Sequence, residues 1–351
     1  MSSKKIINSI QFLRGFAALA VVVHHTGGYV KRYFEPTLLF GDYFSLGFAG
    51  VDLFFVISGF IIHFTSENYL NNPSKLKEYL KKRFVRVYPI YWVITTVLFV
   101  SSWLITIILH KNIFSIGYPN TFSAYIQTYT LFPLHFAINP VTWTLSYELF
   151  FYLGFSFLII SKRLWVIPAL ILAVSLFHLT VDMPDGNLSY FNFFFSGYNF
   201  EFLFGFLIFQ FYKSVKLPNL LSIFLLVLSF GIIIYFGYSV SDIDSFKRVL
   251  VFGLPSSLIL IALLNLEQNE VISFPKFCLT LGDASYTLYL IHFPMMLLMN
   301  KLPQIMGYTI TANQEVLYSY FIIICIIITS IFVHKWIEKP LAKRLSMILN
   351  S

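Results

Sequence analysis

The chain has 351 residues, 58% of them hydrophobic and 11% charged, with a formal net charge of +8. A soluble domain carries about 25% charged residues, so the composition excludes an ordinary soluble enzyme, and near-continuous apolar runs of bilayer length mark an integral membrane protein. Lys and Arg gather in short loops, where membrane topology rather than nucleic acid accounts for them, and the two cysteines, Cys278 and Cys325, sit in apolar runs without a metal or redox motif.

The first apolar run, 8–26, follows Lys4 and Lys5 as a signal peptide would, but it contains Arg14, ends in His24 and His25 and lacks a small-residue cleavage site. It is read as a retained first helix. Further helices are predicted at 45–64, 87–109, 144–161, 164–180, 190–211, 217–238, 249–266, 278–300 and 316–334. The stretch 122–138 is also apolar but contains Pro133 and is followed by Pro140, and either spans or lies re-entrant. Charge decides between the two. With a cytoplasmic N-terminus and 122–138 not crossing, only Lys31, Arg32, Lys111, Lys247, Arg248 and Lys301 of the 24 Lys and Arg face outward. A crossing would carry Lys162, Arg163, Lys213, Lys216 and the basic C-terminus outside, against the positive-inside rule. Asp182, Asp185, Asp242 and Asp244 then lie in outer loops. The predicted architecture is an all-α integral membrane protein of about ten transmembrane helices, both termini cytoplasmic, forming a single domain over 1–351. No internal repeat is visible, and no soluble domain is expected before or after the bundle.

A charge at the centre of a membrane helix costs about 2.5–3.5 kcal/mol, so intramembrane ionisable residues face a cavity or a partner and are functional candidates. In chain order these are Arg14, His24, His25, Asp52, Glu148, Glu201, Asp283 and His292. Eleven residues separate Arg14 from His25; at about 100° and 1.5 Å per residue they share one helix face, roughly 16 Å apart. Gly15, Ala17 and Ala18 beside them permit close helix packing or ligand approach. The structural alternative is that Arg14 snorkels to the inner surface and His25 caps the outer end. Asp52 reads equally as an interhelical partner for an Arg or Lys, and Ser58-Gly59 as a packing site. Arg83 and Arg86, three apart, share a face if their segment is helical. Two forked guanidiniums at the membrane surface suit a phosphate, though an ordinary positive-inside loop or one holding anionic lipid headgroups reads the same way. Trp143-Thr144-Leu145-Ser146-Tyr147-Glu148 opens the next helix from the outside, placing Glu148 at about the depth of His25. A carboxylate that orients an imidazole makes a general base near neutral pH; an N-terminal helix carboxylate stabilised by the macrodipole is the plain alternative. Glu201 carries the same ambiguity. His63, His110, His135, His178 and His334 lie near interfaces and receive no role, and there is no zinc spacing, Walker loop or nucleophile elbow.

Taken in order, these segments resemble the acyltransferase 3 family of membrane acyltransferases. The resemblance rests on Arg14-Gly15-Phe16-Ala17-Ala18 with His25 eleven residues on, Val51-Asp52-Leu53-Phe54-Phe55-Val56-Ile57-Ser58-Gly59-Phe60, and Arg83-Phe84-Val85-Arg86-Val87-Tyr88-Pro89-Ile90-Tyr91-Trp92. It continues through Trp143 to Glu148, Leu281-Gly282-Asp283-Ala284-Ser285-Tyr286-Thr287-Leu288-Tyr289-Leu290-Ile291-His292, and Glu338-Lys339-Pro340. The resemblance implies a ten-helix bundle in a bacterial plasma membrane that transfers an acyl group, usually acetyl, from cytoplasmic acyl-CoA to a hydroxyl of an extracytoplasmic or lipid-linked glycan. It makes Arg14, His25, Arg83 and Arg86 the residues on which activity depends, with Glu148 a further candidate. It also implies a stand-alone form without the esterase-like domain that many relatives carry.

The expected division of labour puts Arg83 and Arg86 on the CoA phosphates, Arg14 on the phosphate or pantetheine end, and His25, oriented by Glu148 or a similar carboxylate, on the acceptor hydroxyl. Direct attack and a covalent acyl-enzyme both stay open, with Ser58 or Ser146 as candidate nucleophiles; Asp52, Trp143, Glu201, Ser285 and His292 complete the candidate set. No metal is called for. The rival class is a multi-span transporter using Arg14, Asp52, Glu148 and Glu201 as a substrate or coupling-ion pathway, against which stands the missing repeat symmetry.

Overall fold

The computed structural model describes residues 7–33, 45–109, 121–134, 138–180, 190–212, 214, 216–240, 246–308 and 310–350. Lys4, Lys5, Lys111, Lys213, Asp182, Asp185, Asp242 and Asp244, used in the topological reading, lie outside the described residues, as do His110 and His135. Every regular element among the described residues is helical. The principal helices are α1 (Asn8–Tyr33), α2 (Gly50–Ser66), α3 (Leu76–Leu109), α4 (Phe122–Thr130), α5 (Trp143–Ile160), α6 (Val166–Thr180), α7 (Tyr190–Phe194), α8 (Tyr198–Tyr212), α9 (Asn219–Phe236), α10 (Leu254–Gln268), α11 (Lys276–Asp283), α12 (Ser285–Ile305), α13 (Ala312–Val333) and α14 (Lys339–Asn350). Two five-residue π-helical turns, Val249–Gly253 and His334–Glu338, lead into α10 and α14.

Seven helical stretches among the described residues are long and apolar enough to cross a membrane: Leu46–Tyr69, Pro73–Ile108, Pro140–Ile160, Lys162–Thr180, Asn219–Ser239, Phe246–Gln268 and Gln314–Leu349. The chain is accordingly a multi-pass membrane protein. The three other expected spans are helical but differ in kind. α1 and α12 have the length but hold too many polar side chains, among them Arg14, His24 and His25 in one and His292, Asn300 and Lys301 in the other. The 190–211 stretch is divided into α7 and α8. Within 122–138 the helix is only nine residues long, about 14 Å against the roughly 30 Å of a hydrocarbon core, and Leu131 and Leu134 then turn through positive φ. The described part of this stretch does not span as a helix.

The chain divides into two compact units. The first comprises Met1–Ala20, Phe48–Tyr79 and Glu148–Asp283. Its centre is a dry cluster including Leu13, Ala17, Val56, Phe60, Phe209 and Leu260. α2 and α8 cross there backbone to backbone at Gly59 and Gly205: a Cβ on Gly205 would stand 1.8 Å from the Val56 carbonyl oxygen, and one on Gly59 would stand 2.0 Å from that of Phe202. The start of α1 is tied to α10 by the carboxylate of Glu267, which accepts from the backbone N–H groups of Asn8 and Ser9, each at 2.8 Å. This carboxylate fills orphan donors of a helix N-terminus and complements its dipole.

The second unit comprises Val21–Gly47, Leu80–Tyr147 and Ala284–Ser351. In it the aromatic residues of the Arg83–Trp92 segment hold the short α4. Tyr91, Tyr88 and Trp92 donate to the carbonyls of Thr128, Thr130 and Tyr129 at 2.6, 2.9 and 2.8 Å. Those are carbonyls that the last turn of a helix leaves without intrahelical partners, and a lipid-embedded chain has to satisfy them internally. The segment before α5 is fastened to α12: Asn139 donates to the Leu290 carbonyl (2.8 Å), Tyr289 to that of Val141 (3.0 Å), and Thr144 to the Tyr289 hydroxyl (2.9 Å).

Candidate active site

The candidate residues fall into three local arrangements. The first surrounds His25. α1 is continuous from Asn8 to Tyr33, so Arg14 and His25 do share one helix. His25 is half-buried, and its Nδ1 lies 3.0 Å from Nε2 of His292. The two rings stack with centroids 5.1 Å apart, and Phe293 closes against His25 edge-on. His292 is buried, and its own Nδ1 meets the Tyr289 carbonyl at 2.6 Å. His24 is tied separately, by Nδ1 to the Ser45 carbonyl at 2.6 Å. His25 Nδ1 thus meets an imidazole 267 residues away in sequence. Glu148, half-buried on α5, accepts from the hydroxyl of Tyr152 one turn on. Arg14 is half-buried with Nη1 3.3 Å from Gln11 Oε1.

The second arrangement gathers on Glu338. Its carboxylate accepts from Thr287 Oγ1 at 2.5 Å, lies 2.6 Å from Nδ1 of His334, and pairs with Arg86 Nη1 at 3.4 Å. The guanidinium of Arg86 also lies over the Tyr286 ring, 5.1 Å from its centroid. Arg83 and Arg86 lie on the helical part of α3, so the condition for their sharing a face is met. Arg86 keeps 37% of its side chain exposed while paired. A guanidinium has five N–H donors, so this geometry fits a phosphate as a second partner. The five-residue π turn brings His334 and Glu338 to one side. His334, given no role from the sequence, is a buried partner of Glu338.

The third arrangement is an ion pair in the core of the first unit. Arg248 donates through Nε to Asp52 Oδ1 at 2.9 Å and through Nη2 to Oδ2 at 2.7 Å. Its guanidinium is enclosed by the rings of Phe48, Tyr198 and Phe252, with centroids 5.1, 5.4 and 5.7 Å away. The reading of Asp52 as an interhelical partner holds. The reading of Arg248 as an outer-loop cation does not: it is 6% exposed and belongs to the helical turn that precedes α10. Glu201 is buried on α8 and packs on Gly253, where a Cβ would stand 2.8 Å from its Cγ.

The serine candidates differ. Ser146 is buried and donates to the Leu131 carbonyl at 2.9 Å, which occupies its proton in a structural bond. Ser58 is half-buried on α2. Ser285 is buried at the start of α12, and its Oγ has no hydrogen-bond partner among the described residues. Trp143 begins α5 and meets Tyr147 edge-on at 5.8 Å. Two apolar cavities open in the first unit, about 500 Å³ between α8, α9 and α10 and about 300 Å³ between α5, α6 and α8, and no predicted site residue lines either.

Sequence reasoning missed Arg248 and the Glu338 centre. A signal existed for each. Asp52 in an apolar run demands a cation, and His334 and Glu338 stand four residues apart with Arg86 and Thr287 in the other ordered segments.

The chain matches an acyltransferase domain family over residues 7–336. It is 27% identical to the exopolysaccharide production protein ExoZ of Rhizobium meliloti over 72% of this chain and 77% of that protein. It is 29% identical to the putative acetyltransferase ORF330 of Acidianus two-tailed virus over 84% of each chain. It is 32% identical to the O-acetyltransferase OatA of Staphylococcus aureus over 45% of this chain and 26% of that one. No solved structure matches the chain.

Proposed function

We propose that this chain, which belongs to the acyltransferase 3 family, transfers an acetyl group from cytoplasmic acetyl-CoA to a hydroxyl of an envelope polysaccharide or its lipid-linked precursor, with His25 as general base. The family match over nearly the whole chain carries the reaction class, and the relatives named for exopolysaccharide production and O-acetyl transfer support the glycan acceptor. The observation that carries the base is the half-buried imidazole of His25, held through Nδ1 beside His292 on the helix that also bears Arg14. Positioned proton transfer of this kind contributes about 10²–10⁴ in rate. Arg83 and Arg86 hold the CoA phosphates, and Arg14 steadies the donor along α1. The acceptor oxygen, relieved of its proton by His25, attacks the thioester directly. The proposed setting is a bacterial plasma membrane, with ten spans, cytoplasmic termini and the whole chain acting as one catalytic domain. The distribution of Lys and Arg supports this orientation.

The test compares surface glycans by NMR from cells lacking the gene, with wild type restored, and with His25→Ala restored at equal membrane level. An O-acyl signal that returns with wild type and not with His25→Ala is the expected result. Full restoration by His25→Ala would remove His25 as the base. An unchanged glycan in every strain would remove the acceptor class. For the donor, acetyl-CoA is expected to raise the unfolding temperature of the purified protein, and the combined Arg83→Ala and Arg86→Ala variant is expected to lose that rise. A rise of equal size in the variant would take the phosphates away from these two arginines.

A further inference from the structure

We infer that His292 is the positioning residue of the reaction, fixing His25 in the tautomer that carries its proton on Nδ1 and leaves Nε2 as the atom that accepts the proton. The inference rests on His25 being the base, and it adds which nitrogen acts and what sets it. A carbonyl oxygen only accepts, so the 2.6 Å contact with Tyr289 O places a hydrogen on Nδ1 of His292. In a neutral imidazole the other nitrogen is then a bare acceptor. His292 Nε2 therefore receives, across 3.0 Å, the N–H of His25 Nδ1. The neutral ring of His25 is left with its lone pair on Nε2, on the side away from His292. The hydrogen bond made by one ring nitrogen sets the chemistry of the other.

The anchor of this relay is rigid. His292 is 1% exposed. Tyr289, whose carbonyl starts the relay, is itself fastened through its hydroxyl to the Val141 carbonyl and to Thr144. Thr144 belongs to the same Trp143–Glu148 segment that the sequence singles out, which gives that segment a structural part in the site.

The proton bookkeeping closes. Nε2 of His25 takes the proton of the acceptor hydroxyl as its oxygen bonds to the acyl carbon. The carbon–sulfur bond breaks, the sulfur leaves with the electron pair, and the proton on Nε2 passes to it to give the free thiol. While His25 is protonated, its Nδ1–H is a charged donor to a neutral acceptor, and such bonds are roughly twice as strong as neutral ones. His292 therefore holds the base in place while Nε2 carries the proton, as outer partners do for metal-bound imidazoles.

The test joins a rate to a spectroscopic readout. Membrane vesicles with equal amounts of protein are given radiolabelled acetyl-CoA and the host's envelope glycan. His292→Leu is expected to lower the initial rate of O-acetyl incorporation about 10–100-fold, and His292→Gln, whose side-chain carbonyl can accept from Nδ1–H of His25, is expected to restore most of it. In wild-type protein with isotope-labelled imidazoles, NMR is expected to show His25, assigned by its loss in His25→Ala, protonated on Nδ1 and bare on Nε2. Bare Nδ1 in the wild type, or an unchanged rate in His292→Leu, would overturn the inference. The tautomer is read in the wild-type protein, and it is independent of whether His25→Ala is inactive, so failure of the base assignment and failure of the relay are read separately.

Discussion

Asp52→Ala is expected to cost about 3–5 kcal/mol of folding stability, the price of removing one partner of a buried ion pair. Asp52 has no exposed surface and Arg248 is 6% exposed. The guanidinium makes its two Asp52 bonds at 2.9 and 2.7 Å and is enclosed by aromatic rings. Those rings attract the cation, but they supply no acceptor for the N–H groups that Asp52 releases. Arg248→Ala strands the carboxylate in the same way. Replacing both, as Asp52→Leu with Arg248→Met, removes the pair as a unit, and such replacements are often neutral. The double variant should therefore be closer to wild type than either single one, a coupling that a double-mutant cycle on the thermal unfolding of detergent-purified protein measures directly. Additive losses would show that the two groups do not act as a pair. The same cycle separates structure from chemistry: if Asp52 serves only α2 and the α10 entry, the double variant regains acyl transfer along with its stability.

The contrast between Asp52 and His25 shows what the sequence carries about such sites. A charge inside an apolar run is visible in one dimension because insertion makes it expensive, so Arg14, His25, Asp52, Glu148 and Glu201 all stand out. What each charge meets is a long-range fact. His292 lies 267 residues from His25 and Arg248 lies 196 from Asp52. Arg248 was misread because it follows Lys247 at the mouth of an apolar run, where a basic pair looks like a loop. The acid and two of the three rings that bury it, those of Phe48 and Tyr198, come from other segments. The π turn at His334–Glu338 was not legible, since a one-residue shift of the backbone ladder leaves no mark in hydropathy. The helical content was legible over the apolar runs but not in the polar helix Lys339–Asn350, nor at breaks such as 195–197. The tyrosines and tryptophan of 88–92 donate through their polar tips to the carbonyls of α4, a use that composition does not show.

Close approach of helices was the other legible feature, at Gly59, and it gives the second large effect. Gly205→Val is expected to abolish accumulation of folded protein, and Gly205→Ala to destabilise it by at least the 1–3 kcal/mol typical of overpacking. The reason is that the obstructing atoms cannot turn aside. A Cβ on Gly205 would stand 1.8 Å from Val56 O and 2.8 Å from Phe60 N, the two ends of one hydrogen bond in α2, and a Cβ on Gly59 would meet Phe202 O at 2.0 Å. Neither carbonyl has a rotamer to adopt, so relief requires the two helices to separate. Separation removes packing that holds Phe60 against Phe209, whose rings meet edge-on at 5.5 Å, and in a bilayer that packing rather than the hydrophobic effect holds helices together. Gly154 on α5 and Gly231 on α9 provide the internal control: nothing lies within 4 Å of a Cβ at either. Alanine there should be neutral or stabilising by up to about 1 kcal/mol, since glycine is the weaker helix former. Unfolding temperatures of the four alanine variants, measured side by side, should fall sharply for Gly59 and Gly205 and hold or rise for Gly154 and Gly231. A uniform response would mean that helix propensity, and not the α2–α8 crossing, governs these positions.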